Sequence, residues 1–398
     1  MKKKRTMSWK NFFAQLIMWM IATQIIFPLS INIHFANLFI YLLVITYSIY
    51  FVVQKKNSLS SNYFVNLYLW FSVVSIASII WSIDPSFTIP IVIRVVTTGI
   101  VLFIIYNTVK QFKIEMYILY GVMIGALVNY MIALNILDYI TPFTNGLRFT
   151  GTLARSNDVA IAMIIAIFSA IIISHETTSQ YARKIVMLSI PLSLYVIFLT
   201  VSKKGILFGG ALVLAYFIKE VKNIKRFIAI MVSTIIVLFI LFKQNIETIM
   251  YKIERLSQRA DEFESAIQGT TQSGSTGERI FFLQEGLEFF ANNPILGTGL
   301  NTFMVMDKTQ HYSHNNYIEI LVGTGLVGLF VFYAIYFVMF RKLSRLNKSN
   351  NIKLLLFLTI FIFLFMDMTL VSYSYKLIIF TLLFISIYID QQYKNQYK

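Results

Sequence analysis

The sequence contains no cysteine. Disulfides, thiolate metal sites and cysteine nucleophiles are therefore excluded. Charge is scarce as well: Asp, Glu, Lys and Arg make up 13% of the residues, about half the share found in soluble globular chains. Nowhere do apolar and polar residues alternate in the manner of a transmembrane barrel. No acidic cluster points to magnesium, and neither a His-Glu-x-x-His pattern nor a nucleophile elbow occurs. The sequence indicates no metal site and no cofactor.

What the chain does have is apolar length. Hydrophobic residues form 57% of its 398 positions, in recurring runs of 17 to 25 residues. Runs of that length are long enough to cross a hydrocarbon core of roughly 30 Å, and the one at 205–218 is shorter. The pattern predicts an all-α polytopic membrane protein of about twelve spans, near 12–30, 34–53, 63–81, 87–107, 114–137, 157–174, 185–201, 205–218, 227–242, 316–340, 352–371 and 374–390. The first run comes directly after Met1-Lys-Lys-Lys-Arg5. It is too long for a signal peptide and lacks a small-residue cleavage site, so it reads as an uncleaved span.

An excess of 34 Lys and Arg over 18 Asp and Glu raises nucleic acid as a partner. The placement of the charge argues against it. Lys2–Arg5, Lys55-Lys56, Lys219–Arg226 and Arg341–Lys353 fall in connections on one side of the membrane, the positive-inside distribution. The basic charge is topological, and no nucleic acid is expected. An even number of spans puts both termini in the cytoplasm of a multi-pass protein. The expected organisation is a transmembrane bundle over 1–242, an external loop over 243–315 between spans nine and ten, and three spans over 316–398, all forming one integrated domain.

Two segments fall on the external side, Asp138–Asp158 and Lys243–Ser313. The second carries six Lys and Arg against nine Asp and Glu, opposite in sign to the inner connections. Within it, Ile246, Met250, Ile253, Leu256, Ala260, Phe263 and Ile267 recur at spacings of three and four, an amphipathic helix. Gly269–Gly277 reads as a flexible linker. A second helix, from about Glu278 to Asn292, ends before Asn293-Pro294.

Several side chains are candidates for chemistry. Arg94 lies inside span four, where a cation faces a water-filled cavity or a packed partner. Arg148 and Arg155 flank Gly151 and suit bidentate phosphate binding. Asn157 opens span six as an ordinary cap. Lys203 and Lys204 lie on the external side against the charge trend, either snorkelling to headgroups or offering a cationic site for an anion. Arg279 opens the second loop helix, as a surface ion-pair partner or as a site residue. Asp367 and Lys376 are read as pairing with each other. His311, His314, Asn315, Asn316 and Glu319 cluster where the loop enters span ten, and an imidazole there can serve as a base near neutral pH. Gly323-Thr-Gly325-Leu-Val-Gly328 spells a dinucleotide motif, but it has no strand before it and sits in an apolar span. Its small residues read as a close helix contact, as do Gly121 with Gly125 and Gly205 with Gly209.

Together these stretches resemble the O-antigen polymerase and O-antigen ligase superfamily. Arg279 with Gly286 and N-P-I-L-G-T-G-L-N-T-F, and then S-H-N-N-Y-I-E-I-L-V-G-T-G-L-V-G-L, resembles its most characteristic region. L-R-F-T-G-T-L-A-R-S-N-D-V-A-I-A and T-V-S-K-K-G-I-L are similar to two further segments, with Lys203 where the family commonly has Arg. The resemblance implies a GT-C-like membrane glycosyltransferase that works without a metal ion. Its donor would be a glycan on undecaprenyl diphosphate and its acceptor a sugar hydroxyl. Arg148 and Arg279 would grip the diphosphate and His314 would act as base, with Arg155, Lys203, Lys204, Asn315 and Arg94 as further substrate contacts. A polymerase of the bacterial cytoplasmic membrane is the leading expectation, with a flippase and a chain-length regulator as partners. A ligase is the alternative. A lipid-linked oligosaccharide flippase, the reading from another class, would show repeated halves and helices broken at midplane.

Because the chain has no cysteine of its own, topology is directly measurable. Single cysteines at Ser273 and Asn145 are expected to react with a membrane-impermeant thiol reagent in intact cells, and one at Ser349 only after permeabilisation. The reverse labelling would refute the topology.

Overall fold

The computed structural model describes residues 8–26, 29–53, 59–137, 148–153, 155–220, 254, 275–306, 312–347 and 352–396. Among these residues every regular element is a helix. Five helices are long and apolar enough to cross a membrane: Pro85–Phe112, Met116–Ala133, Ser156–Glu176, Gln180–Leu199 and Asn316–Ser344. Shorter apolar helices cover Asn37–Val53, Tyr63–Ala77 and Lys353–Met366. The chain is a polytopic helical membrane protein. The expected span at 227–242 lies outside the described residues, as does the amphipathic helix at 246–267 apart from the helical Glu254. The second loop helix runs Ser275–Asn292 and takes in the end of the expected linker, whose residues 269–274 also lie outside.

The chain packs as two compact units, one of residues 1–53, 112–259 and 351–359, the other of residues 54–111, 260–350 and 360–398. In the first, the helix Ser156–Glu176 is apolar on all sides and buried along almost its whole length. A helix with no polar face has to be enclosed, and Met116–Ala133, Ser189–Leu199 and Lys203–Glu220 pack around it. Trp9–Ile26 lies against Met116–Ala133 at the expected glycine pair. A methyl on Gly121 would stand 2.4 Å from the Met18 carbonyl, and one on Gly125 would stand 2.6 Å from Ile25 Cβ. Gly205 and Gly209 meet Ile197 in the same way, at 2.9 Å each.

In the second unit, Tyr63–Ala77 packs along Asn316–Ser344, with the rings of Phe71 and Phe332 5.0 Å apart. The latter helix is broken. Gly325 has φ 63° and ψ −161°, a conformation essentially closed to other residues. Its sequence context suggests a close helix contact, so the break is a correction. In an unbroken helix the Val322 carbonyl would accept from the Leu326 N–H, and that of Gly323 from the Val327 N–H. Here Val322 O accepts from Thr298 N–H at 2.8 Å and Gly323 O from Gly299 N–H at 2.9 Å. Leu326 N–H donates to Pro294 O at 2.9 Å and Val327 N–H to Ile295 O at 3.3 Å. The segment 294–299 thus enters between the two halves of the helix, and four bonds replace two. It is held from its other side by Ile83 N–H on Thr298 O at 2.9 Å and by the Trp81 indole N–H on Leu296 O at 3.0 Å.

A methyl added to Gly325 would lie 2.3 Å from Ile295 O. Gly325→Ala is therefore expected to cost about 1–3 kcal/mol from backbone strain alone, and more from the clash. Thermal unfolding of the purified protein in detergent should show a lowered midpoint. Gly210→Ala, with nothing within 4 Å of the new methyl, is the control and should not lower it. An unchanged Gly325→Ala midpoint would contradict the break.

Candidate active site

Asn315 caps the broken helix: its Oδ1 accepts from the N–H groups of Tyr317 at 2.9 Å and Ile318 at 3.3 Å. Asn316 is fully buried and clamps the same end to the segment 367–373. Its N–H donates to Asp367 O at 2.7 Å, and its Nδ2 donates to Tyr333 Oη at 2.9 Å and Asp367 Oδ2 at 3.3 Å. Its Oδ1 accepts from Ser372 and Tyr373 N–H groups at 2.8 and 3.0 Å. Tyr333 adds a bond to Asp367 Oδ2 at 3.0 Å. The expected Asp367–Lys376 pair gives way to this network, because the asparagine and tyrosine reach the carboxylate from the helix packed beside it. Lys376 lies instead within electrostatic reach of Arg94.

His314 immediately precedes the cap. It is half-buried and has φ 54°, a left-handed backbone uncommon in any residue but glycine. Its ring lies 4.0 Å from that of Tyr312 and 6.4 Å from that of Phe282, stacked on the latter at 22°. Phe282 belongs to Ser275–Asn292, whose inward stripe is Arg279, Phe282, Gly286 and Phe289. Gly286 lets this helix close on the first turn of the broken one: a methyl there would lie 2.2 Å from Ile318 Cγ2. Phe282, Phe303, Ile318 and Val322 make the apolar cluster beneath. The second unit therefore brings Arg279 and His314 to the same aromatic neighbour, one turn of helix from it and in contact with it respectively. Arg94 is exposed on Pro85–Phe112. His311 lies outside the described residues.

The other expected cations gather in the first unit. Arg148 Nε donates to the Thr200 carbonyl at 2.9 Å, and its terminal nitrogen donates to Asn157 Oδ1 at 3.2 Å. Phe149 N–H bonds Leu199 O at 2.9 Å. The arginine is thus anchored to the turn that leads into Lys203–Glu220. Ser202 Oγ lies 3.4 Å from the same Asn157 oxygen, and Val201 between them has φ 52°. Asn157 does not cap its helix, which corrects the expectation from sequence. The cap position is Arg155, which makes no side-chain capping bond, and Asn157 accepts from Arg148 instead. Nothing in the local sequence separates these two uses of an asparagine near a helix start. Arg155 and Lys204 both lie within electrostatic reach of the buried Asp158, while Lys203 is exposed.

Residues 187–333 match the family described as O-antigen ligase. The match covers less than half of the chain, but it includes Lys203, Lys204, Arg279, His314 and Asn315. It bears out the resemblance to the O-antigen ligase and polymerase superfamily over this region, and supports activity of that general type. A search of curated proteins gave no match.

Proposed function

We propose that this protein is a polysaccharide polymerase that joins undecaprenyl-diphosphate-linked repeat units at the outer face of the bacterial cytoplasmic membrane. In this reading the chain has twelve spans with both termini cytoplasmic, and the loop between spans nine and ten is external. The acceptor sugar hydroxyl attacks the anomeric carbon of the donor. The bond from that carbon to the diphosphate oxygen breaks, and undecaprenyl diphosphate leaves with the electron pair. His314 takes the hydroxyl proton. Arg279 and Arg148 stabilise the charge that develops on the diphosphate, a contribution that is large where water is sparse. Arg155, Lys203, Lys204 and Arg94 are further contacts to the anionic substrate, and Asn315 offers its amide Nδ2 to the acceptor sugar. No metal ion takes part. A flippase would supply the donor, and a chain-length regulator would act on the product.

The observation that carries this reading is the fixed imidazole at the head of the broken helix, with the stripe bearing Arg279 packed on the same end. A ligase, which moves finished glycan to another acceptor, is the second reading. It is favoured by the description of the family that matches residues 187–333.

His314→Gly isolates the imidazole, because glycine accepts φ 54° without strain. Turnover by the purified variant on lipid-linked repeat units is expected to fall roughly 10²–10⁴-fold. Added imidazole should restore part of it. His311→Ala should be milder. A His314→Gly enzyme that polymerises at the normal rate would contradict the assignment.

A further inference from the structure

Glu319 lies in the first turn of the broken helix with 1% of its surface exposed. Its Oε2 accepts two hydrogen bonds from one residue, Ser313: from the N–H at 3.2 Å and from the hydroxyl at 2.7 Å. The same hydroxyl oxygen accepts from the Asn315 N–H at 3.3 Å and lies 2.9 Å from the Asn315 carbonyl. The residues on both sides of His314 are thus tied, through one serine, to one buried carboxylate. Its other oxygen, Oε1, is buried without a hydrogen-bond partner among the described residues. His314 between them has φ 54°. An L-residue keeps that angle only where its surroundings over-determine it. The Asn315 cap fixes the chain on the C-terminal side of the histidine, and the Ser313–Glu319 pair fixes it on the N-terminal side.

We propose that Glu319 is the positioning residue for His314. It does not touch substrate. It sets the backbone on the approach to the histidine and so the direction of the imidazole. The proposal rests on the reading of His314 as the base. A base works only within hydrogen-bond reach of its proton, and a displacement of about 1 Å can cost on the order of 10²-fold in rate. Loss of the Glu319 anchor would give such a displacement, because among the described residues the other bonds of the serine hydroxyl reach only Asn315, two residues along the same turn.

The test uses the full-length protein in proteoliposomes with a polyprenyl-diphosphate-linked oligosaccharide as donor and acceptor. Glu319→Ala is expected to lower kcat by roughly 10- to 100-fold and leave KM for the lipid-linked sugar unchanged. Glu319→Gln, whose amide oxygen still accepts from Ser313, should keep most of the rate. In the His314→Gly background, Glu319→Ala should have no further effect. The proposal is overturned if Glu319→Ala is fully active at equal protein amount, if the loss appears in KM, or if the two losses multiply in the double variant. Should Glu319→Ala not insert, Ser313→Ala reads the same contact. It removes the hydroxyl bond and keeps the N–H bond to Glu319, so a smaller kcat loss is expected, absent in the His314→Gly background, and full activity would again overturn the proposal. A His314→Gly enzyme of normal rate is a different outcome: it removes the base itself, whatever Glu319 does.

Discussion

A helix in apolar surroundings has no water to satisfy its backbone, so each N–H and C=O must find a protein partner. The second unit meets this constraint in an unusual place. Its long helix is opened at Gly325, and the two carbonyls and two N–H groups set free are all taken up by residues 294–299. Much of the candidate site depends on this. The inserted segment leads into Phe303, which packs with Phe282, Ile318 and Val322. That cluster seats the helix bearing Arg279 on the turn that begins after His314. Without the insertion the apolar floor under the imidazole would lack one of its walls.

The break also bears on the choice between enzyme and transporter. A broken helix is a feature that the sequence alone does not reveal and that many transporters share. In those proteins the unwound backbone carbonyls and half-helix ends are turned to substrate or ions. Here they are occupied by the chain itself, so this break stores no open coordination sites. Its product is a fixed loop, and a fixed loop suits an enzyme that must hold a base and a cation still.

The sequence made some of this legible and hid the rest for physical reasons. Long apolar runs announce helices whatever their neighbours, and Met116–Ala133, Ser156–Glu176 and Asn316–Ser344 all fall where expected. Gly121 and Gly125 are legible as a contact because helical spacing puts both on one face. Ser275–Asn292 ends at Asn293-Pro294 because proline cannot continue a helix. Gly325 misleads because small residues in an apolar span serve either close packing or a break, and only the partner segment decides. Asn157 and Asp367 mislead in the same way. Each is polar at a helix end, and its true partner, Arg148 or Asn316, lies 9 or 51 residues away. The candidate histidine, His314, is visible from its crowded polar neighbourhood, whereas its left-handed backbone is not.

On the proposed function this protein makes glycosidic bonds from lipid-linked sugars, rather than moving them across the membrane or only binding them. Purified protein in proteoliposomes can be given polyprenyl-diphosphate-linked repeat units alone, with EDTA present, and the products separated by glycan and lipid analysis. Lipid-linked chains of several repeat units are expected, with one polyprenyl diphosphate released for each bond formed. Repeat units recovered unchanged, with no polyprenyl diphosphate released, would contradict that function.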